Sequence, residues 1–330
     1  MTSRRTPHLL LVALALLLAM ISLATGPGGI DAATLISAMG GNDPAAAMIV
    51  GELRLPRTCA ALVVGFALGL SGAALQGLTR NPLAEPGVLG VSACATLGAT
   101  IMLYFGIAAA SPLGVAGGAI AGALIATAIL AAFAHRLTGV ATLILVGVGL
   151  SSFAGALMAL ILNFAPNPFS LSDLVTWSLG SVANRSFTDL AYSVPPIAAG
   201  TALILLARRA LTLLSIGDMA ALAHGLDYRR TRLLIIGGTG LAIGAAVALA
   251  GAVGFVGIVA PHLVRPWVRH HPGRTLIPAG LAGAAMLLAG DIFIRLLPTG
   301  TELRLGVVAA LAGAPLFMLI AWRRGAGAHV

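Results

Sequence analysis

The chain has 330 residues, of which 59% are apolar and 9% are charged, whereas soluble domains carry roughly a quarter of charged residues. This composition excludes a water-soluble globular protein and indicates a polytopic membrane protein. The net charge of +9 includes nineteen basic residues, and every one of them is an arginine. A Walker A phosphate loop requires a lysine, so ATP could be used only through a partner protein.

Other classes of function are also excluded. The arginines are scattered between apolar runs, without a basic helix or interleaved aromatic residues, which argues against nucleic-acid binding. The two cysteines, Cys59 and Cys94, fall in apolar runs and are predicted to be packing thiols. The sequence has no catalytic signature and no cluster with metal-ligand spacing, so we predict no enzyme activity, no cofactor and no metal site.

Ten apolar segments follow one another along the chain. Nine are long enough to cross about 30 Å of hydrocarbon, and the eighth is short. The first follows Arg4 and Arg5 as in a signal peptide, but no cleavage site follows it, so we predict an uncleaved helix. The predicted spans are residues 9–25, 58–78, 87–107, 113–134, 140–162, 190–207, 233–253, 255–268, 275–297 and 303–322.

Two stretches between the spans are longer than a simple turn. Residues 163–189 contain LSDLVTWSLGS, which predicts a short helix outside the membrane. Residues 208–232 combine five arginines with apolar residues at helical spacing and a break at Gly225. This second segment cannot cross the bilayer, and we predict that a cytosolic partner docks on it. A solvated connector is the alternative.

The distribution of arginines predicts the orientation. If the short eighth segment crosses, fourteen arginines lie in the cytoplasm and five outside; if it does not, the split becomes eleven against eight. Cytoplasmic loops carry the excess of arginine and lysine. Ten spans with both termini in the cytoplasm are therefore favoured. The five outer arginines are then Arg54, Arg57, Arg185, Arg295 and Arg304.

Three pairs of glycines at a spacing of four residues form small helix faces: Gly65/Gly69, Gly118/Gly122 and Gly240/Gly244. Such faces let two helices approach closely in lipid. We predict that they pack within the chain rather than between subunits.

A few ionisable residues fall within or next to apolar segments, where charge is expensive. Asp291 lies near the outer end of the ninth span, and Arg295 follows four residues later on the same helix face, which predicts a structural ion pair. A role in gating or docking is the alternative. His262 follows Pro261, and we expect it to hydrogen-bond backbone groups that the proline leaves unpaired rather than to bind a ligand.

Arg54 and Arg57 flank Pro56 at the start of the second span, where a proline preorganises the first helical turn. We expect both arginines to project from this fixed base and, with Arg295, to form positive points on the outer face. These points would receive carboxylates of a soluble acidic partner. Snorkelling of the arginines to lipid headgroups is the competing explanation.

Several stretches together resemble the permease subunits of ABC importers for iron–siderophores, haem and vitamin B12. The resemblance covers about residues 50 to 324, and the stretches occurring in order are highly specific. They read LRLPR (53–57), GLSGAALQGLTRNPLAEPGVLGVS (69–92), IGDMAALAHGLDYRRTR (216–232) and FVGIVAPHLVR (255–265), followed by GDIFIR (290–295) and LAGAPLF (311–317).

The resemblance implies an all-α membrane protein with about ten transmembrane helices and the type II ABC importer architecture. It implies a transport subunit of a bacterial inner membrane, not an enzyme, with ATP hydrolysis in separate subunits. The partners would be two cytosolic ABC ATPases, a second permease subunit and a periplasmic or lipid-anchored substrate-binding protein, all in contact with or close to membrane lipid.

The resemblance also assigns roles to residues of this sequence. The ATPases would bind the cytoplasmic segment through Gly217, Asp218, Ala221, Gly225 and Arg229, and acidic residues of the binding protein would meet Arg54, Arg57 and Arg295. Asn81, Pro82, Pro261, His262 and Asp291 are structural or gating candidates.

The chain departs from the family pattern in two places. Arg304 stands where the family has a proline, which would shift the start of the last helix or add a docking charge, and Cys94 and Thr96 replace smaller residues. We predict an iron(III)–siderophore as the cargo, with haem and cobalamin as alternatives. An ion-coupled secondary transporter is disfavoured, because Asp291 alone approaches a relay position and Arg295 lies beside it.

Overall fold

The computed structural model describes residues 6–26, 34, 43–107, 113–136, 140–298 and 302–326, and the regular elements in these ranges are helical. Besides the α-helices, the chain has a π-helical segment, Ile49–Arg54, and a 3-10 turn, Pro266–Val268. The helices are α1 (Thr6–Ala24), α2 (Pro44–Met48), α3 (Leu55–Thr79), α4 (Val91–Tyr104), α5 (Gly114–Arg136), α6 (Val140–Asn163), α7 (Pro168–Ser178), α8 (Phe187–Leu206), α9 (Arg208–Leu214), α10 (Asp218–Ala223), α11 (Tyr228–Ala250), α12 (Val256–Val264), α13 (Pro272–Leu296) and α14 (Leu305–Ala326).

Six helical segments of the described chain are long and apolar enough to cross a membrane: Pro44–Thr79, Gly114–Phe133, Thr142–Asn163, Phe187–Leu206, Tyr228–Ala250 and Pro272–Leu296. Three shorter apolar helices, His8–Ala24, Val91–Tyr104 and Leu305–Leu319, coincide with further predicted spans. The short helix expected within residues 163–189 is α7. The helical run from Pro44 to Arg54, which precedes the second span, was not predicted.

Helices α3 and α13 pack antiparallel, and glycines line their contact. A Cβ atom added at Gly65 would lie 2.8 Å from the Cα atom of Ala284, and one at Gly69 would lie 2.8 Å from the carbonyl carbon of Ala279. Any side chain would therefore push the two backbones apart. The predicted small face at Gly65 and Gly69 is a contact within the chain.

The other predicted small faces also pack inside the described chain. In three pairs of neighbouring helices, the numbers of the contacting residues rise along one helix as they fall along the other, so the two helices of each pair are antiparallel. The contacts are Cys94–Gly122 and Gly98–Gly118 between α4 and α5, Thr127–Gly240 and Ala123–Gly244 between α5 and α11, and Gly200–Ala242 and Ile204–Gly238 between α8 and α11.

Two other pairs of helices run parallel. The Ser151 hydroxyl on α6 donates to the carbonyl oxygen of Gly87, just before α4, and the Tyr104 hydroxyl at the end of α4 donates to that of Phe164, just after α6. Helix α12 likewise runs parallel to α3, since Gly257 at its start lies beside Gly72 and Arg265 after its end contacts Gln76.

The eighth predicted span, residues 255–268, corresponds to α12 and the 3-10 turn that follows it. Helix α12 has nine residues, which corresponds to about 14 Å and is too short to cross a bilayer alone. An extended stretch, residues 251–255, precedes it. Gly251 (φ +67°) ends α11 and Phe255 (φ +66°) precedes α12, and both have a positive φ angle.

Neighbouring helices surround the extended stretch. The Ser181 N–H donates to the carbonyl oxygen of Ala250 at 2.8 Å. Ala252 lies beside Gly306 at the start of α14, and Phe255 lies beside Gly313 two turns further along that helix. The stretch therefore runs parallel to α14. Non-helical backbone at membrane depth is tolerated where protein buries it, so the extended stretch and α12 together can form one broken crossing.

Candidate functional site

An ion-pair network lies where α1 and α13 end and α3 begins, at the predicted outer end of the molecule. Asp291 is 1% exposed, and its Oδ1 accepts hydrogen bonds from Nε (2.9 Å) and Nη2 (2.7 Å) of Arg57. Its Oδ2 lies 2.8 Å from Nη2 of Arg295. The predicted pair of Asp291 and Arg295 is therefore present. Arg57 is a second partner, which spacing along one helix could not reveal.

Arg295 also binds the end of α1. Its Nη1 donates to the carbonyl oxygens of Ser22 (2.8 Å) and Thr25 (2.7 Å), and the Ser22 hydroxyl lies 2.7 Å from that of Thr58 on α3. The last carbonyls of a helix lack donors within the helix and carry a partial negative charge. A guanidinium group satisfies both needs, so Arg295 joins α1, α3 and α13 at one point.

Arg54 makes similar contacts with the end of α1, which corrects the expectation that the arginines project outward. Its Nη1 donates to the carbonyl oxygen of Leu23 at 2.8 Å and its Nη2 to that of Gly26 at 3.2 Å. Arg54 is 5% exposed, as is the side chain of Arg295. Both arginines lie at the expected end of the molecule, but the carbonyls of α1 draw them inward. Their docking role stays a prediction.

Arg57 and Glu302 form the exposed edge of this network. Nη2 of Arg57 pairs with Oε1 of Glu302 as well as with Asp291. The side chain of Arg57 is 14% exposed and that of Glu302 is 37% exposed. Three guanidinium groups and two carboxylates leave one net positive charge in the network, so the predicted positive patch is largely neutralised within the chain.

The predicted cytoplasmic segment, residues 208–232, consists of α9, α10 and the start of α11. Gly217 (φ +103°) and Gly225 (φ +80°) flank α10 in backbone conformations that favour glycine. The break predicted at Gly225 is therefore confirmed. Asp227 caps α11, with its Oδ1 accepting from the Arg230 N–H at 2.9 Å. Arg229 is exposed beside it, and the side chain of Asp218 lies outside the described residues.

Helix α10 is attached to the core on one side and exposes apolar side chains on the other. Ala221 is fully buried, so it anchors the helix to the core, and its role in coupling to an ATPase stays a prediction. Ile216, Met219 and Leu222 are 54%, 81% and 49% exposed. They were not predicted as site residues, although the spacing of three residues between Met219 and Leu222 places these two on one face of α10, with Ile216 just before the helix.

The ion-pair network and the predicted cytoplasmic segment lie at opposite ends of the α3/α13 pair. Arg57 and Asp291 join one end. At the other end, Leu211 of α9 lies beside Gly77 of α3, and Nε of Arg208 donates to the carbonyl oxygen of Gly273 at 2.9 Å. Arg57 and Gly77 are twenty residues apart on one helix, which corresponds to about 30 Å.

A polar connection joins α3 to the broken crossing. Nε2 of Gln76 donates to the carbonyl oxygen of Gly257 at 3.1 Å, and its Oε1 accepts from Arg265. Glu85, in the loop between α3 and α4, is 9% exposed and accepts a hydrogen bond from the backbone N–H of Phe255. Burial raises the pKa of Glu85 to about 7. None of these polar residues was singled out from the sequence.

The structural candidates around this connection are placed as follows. Asn81 and Pro82 form the turn after α3, where Oδ1 of Asn81 accepts from the Leu83 N–H at 2.9 Å. Pro261 is buried within α12, and His262 beside it is half-buried. The contacts of Asn81 support a structural role, while gating roles for all of these residues stay predictions.

Comparison with known proteins decides the family. The sequence model of the FecCD transport family matches residues 14–323. The chain belongs to the FecCD transport family. The vitamin B12 import system permease BtuC of Klebsiella pneumoniae is 39% identical over 322 residues, which cover 96% of this chain and 94% of that protein. The uncharacterised ABC transporter permease YvrB of Bacillus subtilis is 37% identical over 300 residues, with 88% and 83% covered.

A solved structure gives the same result. An inward-facing conformation of a metal-chelate type ABC transporter matches with a TM-score of 0.84 and 30% identity, covering 95% of this chain and 97% of that one. Membership of the FecCD family makes this chain an ABC importer permease and a multi-pass integral membrane protein. The predicted resemblance is confirmed. The family implies ATPase and substrate-binding partners and a permease dimer.

The departures of this FecCD-family chain are accommodated locally. Arg304 directly precedes α14, and its carbonyl oxygen accepts hydrogen bonds from the N–H groups of Val307 (3.1 Å) and Val308 (3.2 Å). The helix therefore begins here without a proline. The Thr96 hydroxyl donates to the Ser92 carbonyl oxygen at 2.9 Å within α4, and the carbonyl of Cys94 packs against Gly122.

Proposed function

We propose that this chain is the membrane-spanning subunit of a type II importer that moves a metal-chelate cargo across the inner membrane of a bacterium. It would pair with a second permease subunit, two cytosolic ATPases and a periplasmic or lipid-anchored binding protein. The chain would perform no chemistry of its own. Contacts that differ between states of the ATPases would switch the pathway between outward and inward access.

Ten crossings with both termini in the cytoplasm account for the helix directions. Successive crossings must alternate in direction. This rule requires α3 to run antiparallel to α13 and parallel to α12. The contacts described for Gly65 and Gly69 with α13, and for Gly72 and Gln76 with α12, have these directions. If residues 251–268 did not cross, α13 would run parallel to α3. The excess of arginine on the side of α9 then supports a cytoplasmic location for that face.

The observation that carries the proposal is the exposed apolar face of α10. Met219 and Leu222 on α10, with Ile216 just before it, lie beyond the membrane-spanning helices, in a segment whose other side is fixed by buried Ala221. Exposed apolar groups outside the lipid mark a protein contact. Leu211 in the same segment packs at the end of the α3/α13 pair, so a displacement of α10 by an ATPase would be transmitted to the spans.

Replacing Met219 by aspartate tests this face. A charge on the apolar contact should weaken recovery of the ATPase with the permease by roughly tenfold or more, since residues at the centre of an interface each contribute over 1 kcal/mol. Met48→Asp is a matched control, because Met48 is 69% exposed but precedes α3 at the opposite end of the molecule. Equal ATPase recovery for the two variants would exclude α10 as the coupling surface.

The cargo is proposed as a metal chelate, with an iron(III)–siderophore, a corrinoid and haem as its candidate forms. The siderophore follows from the sequence prediction. The corrinoid is favoured by the 39% identity to a vitamin B12 import permease over almost the whole chain. Haem remains the third alternative from the sequence. The chelate class is supported by the structural match to a metal-chelate type transporter.

Uptake into vesicles distinguishes these cargoes. Vesicles with the reconstituted transporter should accumulate one of ferric siderophore, cobalamin or haem only when ATP and the ATPases are inside. Accumulation by this chain alone under a proton gradient, without ATPase, would instead establish a secondary transporter. The Met219→Asp variant should abolish ATP-driven uptake while Met48→Asp keeps it.

A further inference from the structure

Arg57 holds two carboxylates that differ sharply in burial. Asp291 is 1% exposed, and both of its oxygens contact guanidinium groups, those of Arg57 and Arg295. Glu302 is 37% exposed, and its carboxylate pairs with Nη2 of Arg57. If Asp291 moved away, the guanidinium groups of Arg57 and Arg295 would lose a buried carboxylate partner, at a large energetic cost. Glu302 can leave into water at little cost, because exposed ion pairs are weak.

We propose that Glu302 occupies, in the undocked permease, the position that a carboxylate of the binding protein takes on docking. This inference rests on the proposed role of Arg57 in docking and adds a mechanism to it. On association, the carboxylate of the partner replaces Glu302 on Nη2 of Arg57, and Glu302 moves into solvent. Glu302 is thus an internal competitor that lowers the affinity of the outer face for acidic proteins.

The geometry suits an exchange of this kind. Asp291 binds Nε and Nη2 of Arg57 at 2.9 and 2.7 Å, so the guanidinium plane keeps its orientation when the exposed partner changes. A planar guanidinium recognises carboxylates through fixed donor directions. Arg57 remains paired before and after docking, and no bare charge is exposed between the two states.

The competitor also explains how a largely neutralised network can dock an acidic partner. Arg54 and Arg295 are committed to the carbonyls of α1, which leaves Arg57 as the accessible guanidinium of the three. Glu302 screens it against carboxylates of unrelated proteins. A binding protein that presents its carboxylate on a complementary surface displaces Glu302, because the rest of its interface holds that carboxylate in place.

The test compares Glu302→Gln with Glu52→Gln. Both variants remove one negative charge from the same end of the molecule. Glu52 is exposed in the π-helical segment, five residues before Arg57, and its carboxylate makes no contact with Arg57 in the described structure. The permease–ATPase complex in nanodiscs would be titrated with the substrate-binding protein that supports uptake by this transporter and with hexaglutamate as a defined carboxylate probe.

Glu302→Gln should bind both probes roughly two- to fivefold more tightly than the unmodified chain, the range for removal of one exposed ion pair. Arg57→Gln should bind more weakly than the unmodified chain, and adding Glu302→Gln to it should change nothing further. If Arg57→Gln lowers the yield of folded complex, Arg57→Lys takes its place, since it keeps the charge and loses the planar donors.

Three outcomes separate the possible failures. If Glu302→Gln and Glu52→Gln raise the affinity for the two probes equally, the gain comes from the change in net charge alone, and the exchange is overturned. Unchanged or weaker binding by Glu302→Gln, with weaker binding by Arg57→Gln, would overturn the exchange but keep the docking site. Unchanged binding by Arg57→Gln would remove Arg57 from docking altogether, and the exchange with it.

Discussion

Replacing Asp291 by asparagine would measure the energy of the ion-pair network. Asparagine keeps the shape and one acceptor oxygen, but it removes the charge and places an N–H donor opposite another donor. Guanidinium nitrogens of Arg57 and Arg295 lie 2.7 and 2.8 Å from the two carboxylate oxygens, and Asp291 is 1% exposed. Removing one partner of a buried pair costs about 3–5 kcal/mol. We expect a loss of that size in the free energy of unfolding.

Glu302→Gln is the matched control for this measurement, since it removes the second carboxylate of the same arginine. Its pair with Arg57 is exposed, and such pairs contribute about 1 kcal/mol or less. Reversible unfolding of the purified chain by SDS in mixed micelles, followed by tryptophan fluorescence, would give both values. Equal losses in the two variants, or a loss below about 1 kcal/mol for Asp291→Asn, would refute the idea that burial makes Asp291 the centre of the network.

Two further predictions concern helix packing and pH. Gly69→Ala should destabilise the chain by about 1–3 kcal/mol or more, because its Cβ would overlap the backbone of Ala279. Gly237→Ala on α11, with no atom near the added Cβ, should be neutral or stabilising in the same unfolding assay; equal losses would refute the packing argument. The Glu85 carboxyl lies in a loop outside the membrane-spanning helices, and burial raises its pKa from 4.5 to about 7. A raised pKa means that the folded state binds the proton more tightly, so stability should fall by about 3 kcal/mol as pH rises from 4.5 to 7. Glu85→Gln should remove this contribution, and an unchanged pH profile would contradict it.

The sequence was sufficient for features that depend on neighbours along one helix. The pair of Asp291 and Arg295 follows from a spacing of four residues, and the small faces at Gly65 and Gly69 follow from the same spacing. The break at Gly225 follows from the conformational freedom of glycine. In each of these cases, helical periodicity alone determines which groups lie on one side.

Features that depend on distant partners could not be predicted in this way. Hydropathy gives the same signal for residues 251–268 whether they form one helix or an extended stretch followed by α12. The difference is set by contacts such as that between Ser181 and Ala250, 69 residues apart in the chain. The inward orientation of Arg54 likewise depends on where α1 ends in space, and periodicity carries no information on that point.

The predicted cytoplasmic segment, residues 208–232, has features of both kinds, those set by local spacing and those set by distant contacts. Its location between two spans and its helical character could be predicted from composition and spacing. Whether Ala221 lies on the surface of this segment or anchors it could not be predicted, because a small residue in a motif can serve as a contact or as an anchor. Ala221 is completely buried, which shows that it anchors the helix, and the exposed face of α10 is formed by Met219 and Leu222.

The backbone contact between α3 and α13 has a mechanical consequence. Where side chains separate two helices, rotamer changes can absorb a displacement of one helix relative to the other. At Gly65 and Gly69 no side chains separate the two backbones, so we expect α3 and α13 to move as one rigid unit. Leu211 of α9 contacts this unit at Gly77, and Arg57 lies at its other end. In the proposed importer, a displacement that an ATPase imposes near Gly77 would therefore reach Arg57 with little loss, and docking of a binding protein at Arg57 would act on the ATPase end in return.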